Sequence, residues 1–155
     1  MSDYVVVKVL HVLSSTILFG TGVGIAYFTW VASRSRNARH AHFVLSKVVR
    51  ADWIFTATAG VFQPLTGLYL AHIGGYAMLS HWIVWSMMLF ILAGACWLPV
   101  VWMQIRMRDI AAAAVDSGTA LPSRFWWLFR AWVLLGIPAF SALVVVFYLM
   151  VAKPV

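Results

Sequence analysis

Long, nearly uninterrupted apolar runs alternate along this chain with short stretches that hold most of its charge. A helix needs about 20 mostly apolar residues to cross a bilayer. Four runs meet that length, over residues 4–32, 52–73, 81–103 and 125–152. The pattern predicts an all-α fold, an integral membrane four-helix bundle in which residues 1–155 form one transmembrane domain. Lys8 and His11 interrupt the first run, and no small-x-small cleavage pattern follows it. It reads as a permanent span and not as a signal peptide.

The connections differ in kind. The link between the first two runs carries Arg34, Arg36, Arg39, Lys47 and Arg50. The link between the last two carries Arg106, Arg108 and Arg124, and the short Gly74-Gly75 hairpin has no Lys or Arg. Positively charged short loops stay in the cytoplasm. Both basic links are therefore expected inside, with the hairpin, the N-terminus and the C-terminus outside. In a bacterium that means a multi-pass protein of the inner membrane with periplasmic termini.

Composition agrees with this reading. Hydrophobic residues make up 64% of the 155 residues and charged residues 10%. Soluble domains average roughly 45–50% and about 25%. The net charge of +7 sits in two clusters beside apolar runs, which points to membrane orientation and excludes nucleic acid as a partner. The lone Cys96 lies in an apolar run and reads as a buried structural thiol.

Ionisable and polar residues inside spans are costly and so carry the information about function. On a helical wheel Lys8, His11, Ser15 and Gly22 share one stripe of the first run, while Gly20 and Gly24 form a small-xxx-small pair opposite. The stripe should face the bundle interior. The Gly20/Gly24 face should admit a second helix, from this chain, from another copy in a homo-oligomer, or from a larger membrane complex. In the second run Asp52, Thr56, Gly60, Gln63 and Gly67 share a side, and Pro64 should bend the helix. His11, His72 and His81 collect in the outer half. Neutral imidazole is a common metal ligand and haem axial ligand. The reading is a b-type haem, with His11 on the iron, His72 or His81 as the second ligand, Ser15 and Gly22 lining a slot, and Lys8 near a propionate. Electron transfer or another redox role near the outer face follows, with a redox partner implied. Asp52, beside Arg50 at the start of the second run, is expected to form a structural ion pair with Arg130.

The stretches VVKVLHVLSSTILFGTGVG, RADWIFTATAG, GLYL and LMVAKP together resemble a family of small bacterial integral membrane proteins of unknown function. That family is similar in turn to the group containing the protoporphyrinogen oxidase HemJ and the copper-resistance protein CopD. The HemJ resemblance implies a haem ligand at His11, three residues after Lys8. HemJ-like proteins also carry a lysine in the third helix, and HWIVWSMMLF has none. Whether this chain is an enzyme is therefore left open, as is the second iron ligand. The CopD resemblance implies copper as the alternative cofactor, with Met78 beside His72 and His81.

Overall fold

The computed structural model describes residues 3–154, and all of its regular structure is helical. Helix α1 spans Asp3–Arg34. Helix α2 (Ala38–Ala51) runs through a π turn at Asp52–Thr56 into α3 (Ala57–Ile73). Helices α4 (His81–Asp116) and α5 (Ser123–Ala152) complete the chain. Four continuous helical stretches, with α2 through α3 counted as one, are long and apolar enough to cross a membrane.

The spans begin and end where local chemistry dictates. Asn37 caps α2, its side-chain oxygen accepting the His40 N–H at 3.1 Å. Helix α3 closes in a Schellman motif: Tyr76 N–H donates to Ala71 C=O, Gly75 N–H donates to His72 C=O, and Gly75 takes φ 72°. The same arrangement ends α4, where Thr119 N–H reaches Ala114 C=O and Gly118 takes φ 65°.

Two stretches are longer than their apolar runs. The expected start of the second span, residue 52, is the point where α2 has already run 14 residues. The third span continues past residue 103 to Asp116. At 1.5 Å per residue, the 36 residues of α4 reach about 54 Å, well beyond a hydrocarbon core of about 30 Å. The surplus gathers at one end, here the basic end. There α2 buries Ala41, Leu45, Val48 and Val49 and leaves Arg39, Lys47 and Arg50 exposed. This stripe packs on α4 in the main core, which adds Met103, Met107, Ala111, Leu121, Phe125 and Trp132. Arg34 lies over Trp30, Lys47 over Phe43 and Arg106 over Trp102, so several cations of this end rest on aromatic rings.

The opposite end holds the hairpin and both termini. Its buried cluster is small, comprising Ala71, Trp82 and Ile83. Between the ends the helices turn apolar side chains outward: Val61 and Leu98 are each 64% exposed and Leu134 is 69% exposed. A surface of this kind is compatible with lipid and not with water.

Candidate functional site

The sparse packing at the hairpin end leaves a cavity of about 440 Å³ between α1, α3, α4 and α5. Lys8, His11 and Ser15 line it from α1, as their shared stripe predicts. Phe19, Phe90 and Phe147 form much of its apolar wall. Gly22 does not line it, and the space where a side chain would project from Gly22 is empty.

His11 is fixed by α3. Its Nδ1 lies 2.7 Å from Thr66 Oγ1. Thr66 Oγ1 also lies 2.8 Å from the Phe62 carbonyl, and with its proton placed there the neutral ring donates from Nδ1–H to Thr66. That tautomer leaves a lone pair on Nε2. Gln63 holds the backbone as well, its Nε2–H donating to His11 C=O at 2.8 Å. Gly67 makes room for the ring: a Cβ there would stand 3.2 Å from His11 Cε1. A buried hydroxyl, Ser86 Oγ, also lines the cavity and has no hydrogen-bond partner.

At the cavity mouth Lys153 Nζ donates to Tyr76 Oη at 2.7 Å and sits 5.8 Å from the Trp82 ring centroid. Tyr76 lies in the hairpin. Its phenol is held below the ordinary range, first by the Lys153 hydrogen bond, then by the Lys153 charge, with a weaker pull from Lys8. Two ammonium groups thus border an apolar chamber that contains an imidazole.

His72 and His81 are exposed at the two ends of the hairpin and do not line the cavity. The sulfur-bearing side chains Met87 and Met150 do line it. His42, in the basic link, lies with Nδ1 3.3 Å from the Arg108 carbonyl and ties α2 to α4. Among the described residues, no three His, Cys, Asp or Glu side chains converge as a metal site.

The expected clasp between Asp52 and Arg130 is not formed. Asp52 is 3% exposed and accepts the Trp97 indole N–H at 3.3 Å, whereas Arg130 and Arg50 are exposed. The reason lies in the α5 register. That helix buries Phe125, Leu128 and Trp132, and a residue two positions from both Leu128 and Trp132 points the other way. Among the described residues the ion pair is Arg108–Asp109, at 2.7 Å on the surface.

Four membrane-length apolar helices around a chamber with polar groups on its wall define a multi-pass integral membrane protein. The chain belongs to the family described as predicted integral membrane protein (DUF2269), whose model matches residues 5–154. Neither the curated proteins nor the solved structures give a match.

Proposed function

We propose that this chain is a b-type haem-binding protein of the bacterial inner membrane, with electron transfer or a related redox role near the outer face. One observation carries the reading: Thr66 engages His11 at Nδ1 and leaves Nε2 available, at the wall of an apolar cavity. Histidines that ligate metals commonly donate their other ring N–H to a fixed acceptor in this way. The cavity volume of about 440 Å³ falls within the usual range for cofactor sites, and the unpartnered Ser86 hydroxyl offers a further polar contact. Lys8 and Lys153 at the mouth suit the carboxylates of a tetrapyrrole.

In this arrangement His11 would hold the iron, with Thr66 orienting His11. Phe19, Phe90 and Phe147 would exclude water, and Lys8 and Lys153 would meet the acidic edge. A bound haem would supply a one-electron couple whose potential depends on axial ligand and burial. Met87 and Met150, which line the cavity, are nearer candidates for a second ligand than His72 or His81 on the hairpin. Met78, His72 and His81, the set the CopD resemblance implies for copper, do not line the cavity that holds His11, which favours haem there. A second reading, a membrane subunit that docks on another copy or a larger complex, is supported by the open space beside Gly20 and Gly24.

The absorption spectrum of the purified protein tests the proposal. A Soret band is expected as isolated or after haem addition, and His11→Leu should abolish it. Thr66→Val should weaken haem affinity by roughly 10–100-fold, the usual cost of losing a partner that orients a ligand. A wild-type protein with no Soret band in excess haem, or an unchanged band in His11→Leu, overturns the assignment.

A further inference from the structure

A second polar group lies apart from the cavity, where the π turn joins α2 to α3. The turn directs Asp52 inward, and its carboxylate is buried with Oδ2 free of any hydrogen-bond partner. Thr56 from the same turn and Trp97 and Gln104 from α4 adjoin it. Thr56 Oγ1 and both Gln104 amide atoms are likewise buried without partners, and Gln104 is 1% exposed. Several unpaired polar atoms therefore surround one acid inside the bundle. π turns recur at functional sites.

The charge has no counterion. No Lys, Arg or His among the described residues comes within 4.0 Å of Asp52. The groups that face it, Thr56, Trp97 and Gln104, are neutral. Arg50 on α2 and Arg130 on α5 are exposed, α1, which packs on the π turn, carries no Lys, Arg, Asp or Glu between Lys8 and Arg34, and Cys96 precedes Trp97 on α4. A buried carboxylate without a counterion takes up a cation. The side-chain oxygens at hand are those of Asp52, Thr56 and Gln104, too few for the six or more that hard divalent cations take. A proton fits. With Asp52 protonated, the Gln104 oxygen is an acceptor its O–H could take after a side-chain rotation. With Asp52 ionised, the Gln104 N–H, the Thr56 O–H and the Trp97 N–H supply donors. An amide presents either edge, so the same four residues serve both states.

We propose that Asp52 is an intramembrane proton-binding site, with Thr56, Trp97 and Gln104 as the polar nest that accommodates the gain and loss of its proton. The site is separate from the haem reading and stands or falls independently of it.

Infrared spectroscopy of the full chain in lipid at pH 7 tests this. The expected result is a protonated-carboxyl stretch that shifts in heavy water and is lost in Asp52→Asn. Absence of that band from the wild type, or its persistence in Asp52→Asn, overturns the proposal. Loss of the band when sodium replaces choline at constant pH also overturns it, since a metal cation would then be the occupant. Gln104→Leu keeps the acid and removes its acceptor, so the band should move to higher frequency. This variant decides the matter if Asp52→Asn fails to fold, and an unmoved band counts against the nest.

Discussion

Lys153 ends α5 in the left-handed region, at φ 43°, with its N–H bonded to Leu149 C=O. Its ammonium lies over the Tyr76 ring and donates to the Tyr76 hydroxyl. The consequence is measurable in solution because Tyr76 is exposed. Its phenol should ionise below the ordinary value of about 10, and Lys153→Met should return it toward that value, as read from phenolate absorbance. The sign of the linkage follows. A depressed folded value contributes stability that is full above the unfolded value and is lost as pH falls through the folded one. The ionic part of this latch therefore appears only in alkaline solution, and at neutral pH the contact acts as a hydrogen bond to a neutral phenol. If the Lys153→Met titration superimposes on that of the wild type, the latch does not form. This contact joins positions 77 apart in the chain, and the His11–Thr66 contact joins positions 55 apart. The stripe of Lys8, His11 and Ser15 is readable from helical spacing, whereas Thr66, Tyr76 and Lys153 enter the site only through contacts no local pattern encodes. Gln63 and Gly67 share the polar side of the second run, but only the structure shows that this side meets His11.

The elements were legible to the extent that hydropathy governs them. Spans appear as apolar runs, so the continuation of α4 past residue 103 and the whole of α2 escaped a reading based on uninterrupted apolarity. Helix α2 has a different signature: Ala41, Leu45, Val48 and Val49 recur at helical spacing between charged residues. It is held by burial of that face against α4, and not by lipid. Leu45 is 1% exposed in this contact. Leu45→Ala should cost about 2–5 kcal/mol, the range for truncating a buried leucine, measured by unfolding in mixed micelles. Leu134→Ala, which changes a residue 69% exposed on α5, should cost far less in the same assay. Equal losses would mean that α2 is not part of the cooperative core. Pro64 lies inside α3 as the sequence suggests, and the π turn just before α3 had no such marker.

At the scale of the whole molecule, charge and packing are polarised along the same axis. The basic end holds Arg34, Arg36, Arg39, Lys47, Arg50, Arg106, Arg108 and Arg124 together with the main core. The hairpin end holds Lys8 and Lys153 and the cavity. Retention of positively charged loops in the cytoplasm would put the basic end inside, and with it the hairpin end and the proposed approach to His11 outside. Single thiols placed in a Cys96→Ala background test the orientation. Ala77 in the hairpin and Ser35 in the basic link are both exposed. Ala77→Cys should react with a membrane-impermeant thiol reagent in spheroplasts, and Ser35→Cys should react only after the membrane is opened. The reverse pattern would place the cavity mouth in the cytoplasm and move any electron exchange through His11 to that side. Labelling of both positions in intact spheroplasts would mean that the basic links do not anchor a single orientation, in which case charge asymmetry alone would not determine how this bundle inserts.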